Sequence, residues 1–301
     1  MASLYSTQSS NIWKTWILMS VFFVFIIFLG WFLSYYYQSP NILIIAVLFS
    51  FGMNFFSYWF SDKIVLSISG AHEASKEQYY DLYTSVENLA ITSGLPMPKV
   101  YVIEDPSPNA FATGRNEKHA TVAFTTGLLA ILNKAELEGV IAHELAHIKN
   151  KDILLQSVVV VLVGLITLLS DFFIRSTFFG GRDRDSKAGG VLLIIGIVLL
   201  ILSPIVGVLM QLAISRKREF LADATGALMT RYPDGLASAL NKISRYARPM
   251  QRANHATAHL FISDPYKEQD EEGHEKISLF HKLFLTHPPV EERVNSLLGK
   301  K

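Results

Sequence analysis

The chain has 301 residues, 50% hydrophobic and only 18% charged, with 27 lysines and arginines against 26 aspartates and glutamates and no cysteine. An average soluble chain carries about 25% charged residues, so this one is short of charge. Its formal net charge of +1 gives no electrostatic ground for a nucleic-acid partner. The missing cysteine excludes disulfides, thiolate catalysis and any cysteine-ligated metal.

The apolar residues are gathered into four runs. Thr15 to Tyr37 is 23 residues without a charge, Ile42 to Phe60 is 19, Ile153 to Ser170 is 18 and Val191 to Ser215 is 25. About 20 apolar residues of helix cross a bilayer core, so the runs predict four transmembrane helices, near 15–37, 42–60, 153–174 and 191–214. The first is too long for a signal-peptide core and is followed by no small-residue cleavage site, so it is expected to stay attached. Pro40 fits a tight break between the first two spans. The second connection, Asp171 to Gly190, is longer and carries four basic residues, Arg175, Arg182, Arg184 and Lys187.

The expected layout is a membrane hairpin (1–62), a first polar segment (63–152), a second hairpin (153–215) and a second polar segment (216–301). With spans two and two, both polar segments and both termini share one face of the bilayer. Lys14, Lys63, Lys149, Lys151, Arg216, Lys217 and Arg218 flank the spans there, and the positive-inside rule assigns that face to the cytoplasm. The fold class predicted is a mainly α membrane protein with a small α+β part assembled from the two polar segments.

The chemistry begins at His143-Glu144-Leu145-Ala146-His147, an H-E-x-x-H sequence that signals zinc hydrolysis only on a helix. Asn133 with Glu136 three residues on reads as an N-cap and capping box. Val140, Ile141, Leu145 and Ile148 then recur at helical spacing. His143 and His147 therefore share one face, a turn apart, and two imidazoles so placed can both reach a zinc ion. Glu144 falls beside the metal, where it can take a proton from the attacking water. A catalytic zinc needs a third protein ligand. The second hairpin leaves and returns on one face, so it brings Glu219 back beside the motif. Asp223, one turn later, could accept a bond from a ligand histidine's free N–H. The plain alternative is ion pairing of these acids with Arg216 or Arg218.

His287, followed by two prolines and then Arg293, could donate to a developing oxyanion, although a helix-start turn explains the same residues. His255 and His259 read as surface residues, and His72-Glu73 as incidental. Residues 119–125 read as a short strand whose exposed edge could take up an extended substrate, with Asn109 to Gly114 lining the same cleft.

The blocks NAFATG (109–114), TTGLL (125–129), VIAHELAHI (140–148), SRKREFLADA (215–224) and LFLTHPPVEER (283–293), in that order, resemble the HtpX membrane metalloproteases, bacterial relatives of the CAAX prenyl-protease zinc enzymes. The resemblance covers nearly the whole chain. It implies a gluzincin with one zinc on His143, His147 and Glu219 and with Glu144 as base. Asn109, Asp223, His287 and Arg293 would lie near the site. It also implies a multi-pass protease of the bacterial plasma (inner) membrane that cleaves misfolded or damaged membrane proteins at the cytoplasmic face under stress. The second membrane loop and the His- and acid-rich stretch at 254–275 depart from the family look. Oligomeric state and natural substrates are left open.

Three other readings compete. An intramembrane protease would bury the motif helix in lipid, where Glu136, Glu138, Lys149, Lys151 and Asp152 are expensive. A non-enzymatic membrane scaffold would need a fourth protein ligand for a structural zinc. A transporter would be expected to carry ionisable residues within its apolar runs, and these four carry none.

Overall fold

The computed structural model describes residues 4–179, 196, 216–246, 248–254, 256–266 and 288–300. Two long helices open the chain, α1 (Leu4–Tyr37) and α2 (Pro40–Ser69). Gln38 turns the chain with φ of 53°. Pro40 takes the first position of α2, where its missing N–H costs no bond. The helices run antiparallel: Trp16 stacks on Tyr58, and Ser50 donates to the Phe23 carbonyl. Small serines on the inner face of α2, Ser50, Ser57 and Ser61, are buried and let its neighbours approach closely. The outer faces carry exposed Trp16, Ile17, Val24, Phe28, Ile45, Leu48 and Phe55, a surface that suits lipid and not water.

Residues Gln8–Tyr37 and Pro40–Ser69 are each long and apolar enough to cross a membrane. Both helices extend beyond their apolar runs at the same end. The hairpin accordingly does not stop at residue 62, and the last turns of α2 bury Val65 and Leu66 in the protein. The third run lies in α6 (Asp152–Phe179). Its first turns are enclosed by protein: Val158 and Leu162 pack with Met19, Phe22 and Ile26 of α1, and Leu155 and Val159 pack with Phe111 and Phe261. The fourth predicted span, 191–214, lies outside the described residues apart from Gly196. Among the described residues, two helices are long and apolar enough to cross a membrane, or three if the bent pair of Lys134–Lys149 and Asp152–Leu168 forms one span, where the sequence predicts four.

After α2, Gly70 adopts φ of 66° and turns the chain into a four-stranded sheet of order β1-β2-β4-β3. The strands are β1 (Ala71–Glu73), β2 (Lys99–Ile103), β3 (Ala110–Gly114) and β4 (Ala120–Thr125). β1 pairs antiparallel with β2, β2 parallel with β4, and β4 antiparallel with β3. The strand expected at 119–125 forms over 120–125 and is an interior one, buried at each of those positions, while His119 lies in the exposed turn before it. The sheet edge near the motif is β3, and part of it is already taken, because the Ile262 N–H donates to the Ala110 carbonyl.

Helix α3 (Tyr80–Ser93), the short α4 (Thr126–Ile131) and the motif helix α5 (Lys134–Lys149) complete the first polar segment. The second contributes α7 (Arg216–Thr230), α8 (Pro233–Arg245) and α9 (Val290–Leu297). One core joins both: Val140, Ile141 and Leu145 of α5 pack with Val122 and Phe124 of β4, Leu82 and Val86 of α3, and Leu236 and Leu240 of α8. Helix α5 is sheathed in protein on this account, with every residue from Gly139 to Ile148 buried. Lys151, at φ of 59°, then bends the path by 84° into α6.

Candidate metal centre

The motif helix starts as its sequence predicts. The Asn133 side chain accepts from the Glu136 N–H and the Glu136 carboxylate accepts from the Asn133 N–H, closing the capping box. Glu136 also accepts from the Ser238 hydroxyl at 2.7 Å and pairs with Lys242 at 2.8 Å, which fastens α8 to the start of α5. Burial alone would raise the Glu136 pKa, but these three donors hold its carboxyl below the ordinary glutamate value. Gly226 lets α7 lie against the histidine turn, since a Cβ there would stand 3.0 Å from the His143 backbone nitrogen.

Two turns further along α5, His143 and His147 face each other with their Nε2 atoms 3.2 Å apart. Glu219, at the start of α7, approaches both: Oε2 is 3.7 Å from His143 Nε2 and Oε1 is 3.6 Å from His147 Nε2. All three residues are buried and offer ligand atoms within 4.8 Å of one another. An ion held about 2.0–2.2 Å from each ligand atom, in tetrahedral geometry, would space the atoms roughly 3.3–3.6 Å apart. The three nearest contacts, the two to Glu219 made by different oxygens, bracket that spacing. Two imidazoles and a carboxylate also form a donor set that suits zinc, so the residues present fit the ion.

Both rings are oriented from outside by a carboxylate. His143 Nδ1 lies 2.9 Å from Asp223 Oδ1, and His147 Nδ1 lies 3.0 Å from Asp152 Oδ2. Each Nε2 is thereby left to face inward. Asp223 is in turn gripped by Arg293, whose Nε and Nη2 donate at 2.8 and 2.6 Å to its two oxygens. Arg293 is 1% exposed, and its Nη1 stands 3.7 Å from Glu219. Burial pushes the Asp223 pKa up, but the Arg293 charge outweighs it and the net shift is downward. Burial lowers His143, with its bond to Asp223 opposing. Burial would also lower His147, but the Asp152 bond and the Glu219 charge lift it to about 9.

Glu144 is 2% exposed. Burial, reinforced by the Glu219 charge, raises its pKa to about 7 against the pull of His147 and Arg293 and a hydrogen bond from the Ala112 backbone of β3. A carboxyl so placed can take up and release a proton near neutrality.

The structure thus brings together His143, Glu144, His147, Glu219, Asp223 and Arg293. Asn109 immediately precedes β3, and its side chain is committed to the Ser263 backbone, donating to the carbonyl at 2.9 Å and accepting from the N–H at 3.1 Å. It straps residues 261–263 onto the sheet edge. His287 and His255 lie outside the described residues, as do residues 267–287. His259, read from sequence as a surface residue, is 1% exposed and its Nε2 lies 3.3 Å from the Gln156 carbonyl. A polar sequence setting misled there, because the whole 256–262 stretch folds inward over α6.

Three groups escaped the sequence reading. Asp152 orients His147, Asn11 reaches Asp152 from α1, and Arg218 is 5% exposed. The signal for Asp152 was its place just beyond the motif helix, five residues after His147. Asn11 carries no comparable signal and Arg218 reads only as a flanking cation that could pair with the nearby acids, because the role of each depends on which helix lies beside which.

A helix presenting H-E-x-x-H, a third acidic ligand from a later helix and a small flanking sheet define a metallopeptidase, here one built onto membrane-crossing helices. The chain belongs to peptidase family M48, whose family model matches residues 76–301. It is 46% identical over 302 residues to the protease HtpX homolog of Caldanaerobacter subterraneus subsp. tengcongensis, covering 98% of this chain and 97% of that one. It is 49% identical over 258 residues to the protease HtpX homolog of Pyrococcus furiosus, covering 85% of each. Among solved structures, S. mikatae Ste24p shares the fold at 18% identity, with a TM-score of 0.50 over 97% of this chain and 67% of that one. The protein is a metalloendopeptidase of the membrane, and this membership sets aside the scaffold and transporter readings.

Proposed function

We propose that the chain is a zinc-dependent endopeptidase that cuts misfolded or damaged membrane proteins on the cytoplasmic face of a bacterial plasma membrane. The observation that carries the reading is the cluster of His143, His147 and Glu219, with nearest side-chain contacts of 3.2–3.7 Å among them and the buried Glu144 beside it. One zinc per chain would sit there. Bound, it would polarise the scissile carbonyl and make water acidic enough to attack near neutral pH. Glu144 would take a proton from the attacking water and hand it to the departing amine. Asp223 and Asp152 keep the two imidazoles turned inward. Arg293 has two of its donors committed to Asp223, so its work is to fix that carboxylate. His287, six residues before Arg293, is the candidate donor to the developing oxyanion.

The membrane side of the reading rests on position. The centre lies level with the first turns of α1, where Gln8 donates to the Lys149 carbonyl at the end of α5. Lys14, Lys63, Lys149 and Lys151 gather at the same end of the spans, the pattern of a cytoplasmic face. The proposed layout keeps four parts, with the first hairpin carried on to the end of α2 at Ser69, a first polar segment to 152, a second hairpin over 153–215 that would return Glu219 to the motif, and a second polar segment over 216–301. A substrate anchored in the same bilayer would meet the site without leaving the membrane surface.

Cleavage of a membrane-protein reporter by detergent-purified protein tests this. Wild type freed of metal should cut only after zinc is restored. Glu144→Gln should bind zinc normally and lose about 10²–10⁴-fold in rate. Full activity of that variant would overturn the role of Glu144. In cells, cutting confined to extracytoplasmic loops of the reporter would overturn the orientation.

A further inference from the structure

Asn11 lies in the first turns of the first membrane helix, 132 positions before the motif, yet it is 1% exposed and bonds to both halves of the metal centre. Its side-chain N–H2 group donates to Asp152 Oδ1 at 2.5 Å and to the Asn150 carbonyl at 3.2 Å. Its side-chain oxygen accepts from Arg218 Nη1 at 3.0 Å. Asp152 is the carboxylate that orients His147, and Arg218 immediately precedes Glu219. A single neutral amide therefore ties the support of one candidate ligand to the helix that supplies another. Gln8, one turn earlier, donates to the Lys149 carbonyl, so α1 also closes off the end of α5.

The chemistry of the position is demanding. Asp152 needs a donor and Arg218 needs an acceptor, and an amide is the one neutral side-chain group that supplies both from adjacent atoms in a plane. Aspartate, of the same shape, would satisfy Arg218 but set a second carboxylate against Asp152. Leucine would leave a buried carboxylate and a buried guanidinium each short of a partner, which is costly in a dry site.

We propose that Asn11 is a positioning residue of the metal centre, through which the first membrane helix sets the affinity for the ion. With Asp152 held by Asn11 on one oxygen, the other is fixed on His147 Nδ1. With Arg218 held, the first turn of α7 keeps Glu219 on the ion. The inference rests on the zinc reading of His143, His147 and Glu219.

The test is zinc affinity of the detergent-purified full chain, measured by competition with a chromophoric chelator, for wild type, Asn11→Asp, Asp152→Asn and the double variant. Thr15→Val serves as the control. Thr15 lies one turn on in the same helix, and its hydroxyl bonds to the Asn11 carbonyl. Supporting groups of this kind are worth about 10–100-fold in metal affinity. Asn11→Asp should lose that much, Thr15→Val nothing, and the double variant little more than Asp152→Asn alone, because the two residues act in series. Should Asn11→Asp fail to accumulate, Asn11→Ser, whose hydroxyl is too short to span both partners, carries the same expectation. Substituted cobalt should report a changed visible spectrum in the Asn11 variant. If wild type binds no zinc tightly, the reading of the centre fails. If wild type binds it tightly and the Asn11 variant binds it equally, with or without a loss of thermal stability, the positioning role fails and Asn11 is a packing residue only.

Discussion

The two histidines of α5 stand one turn apart and are held from opposite parts of the chain by different means. His143 leans on Asp223, whose two oxygens are clasped by the guanidinium of Arg293 from α9. His147 leans on Asp152, which is met by the neutral amide of Asn11 from α1. One carboxylate is thus clasped directly by a full charge brought by the last described helix, the other bonded to an amide carried on α1, with the Arg218 charge behind that amide. The first arrangement fixes a charge in a dry place, and its loss should be felt by the whole fold. The second adjusts orientation, and its loss should be felt chiefly by the ion. The contrast teaches that two ligands of the same residue type on one helix need not be supported alike.

The largest expected effect lies on the charged side. Arg293→Met strips the buried Asp223 of its partner and should destabilise the metal-free protein by about 3–5 kcal/mol, read as a fall in thermal or detergent-induced unfolding. Adding Asp223→Asn should recover part of that loss, because the stranded charge goes with it. An Arg293 variant as stable as wild type would break the comparison.

A smaller effect belongs to the start of α5, away from its histidines, where no metal chemistry intervenes. Glu136→Gln removes the ionised member of the capping box and its pairing with Lys242, and should cost about 0.5–2 kcal/mol with zinc affinity unchanged. The folded pKa of Glu136 is depressed, so the stability it contributes is complete above the unfolded glutamate pKa near ~4.3 and is lost as pH falls through the lower folded value. The variant should therefore show a shallower decline in stability across that acid range. An identical acid decline in both proteins would show that Glu136 is not a source of it.

Much of this was legible in the sequence. The first two spans, the capping box at Asn133 and Glu136, and the helix carrying the histidines follow from local rules of charge spacing and period. Glu219 could be named on the expectation that the second pair of apolar runs forms a hairpin returning to the face it left, and the structure places its carboxylate beside both histidines. The position of the strands was harder to read, since residues 110–114 and 120–125 are both short and apolar, and only pairing decides which is interior. The hold of Asn11 on the Asp152 support of His147 was not legible at all. It depends on α1 overrunning its apolar stretch by more than two turns and lying against the bend at Lys151, a contact across 141 positions for Asn11 and Asp152. No local pattern encodes a meeting of that kind.

The central claim is that His143, His147 and Glu219 hold one ion between them. It is tested most directly by equilibrium zinc binding to the full-length chain in detergent, wild type beside Glu219→Ala. The account predicts one zinc per wild-type chain and a loss in the variant of more than the roughly 100-fold that supporting residues can give. Equal affinity in the two proteins would contradict it and send the search for the third ligand elsewhere in the chain.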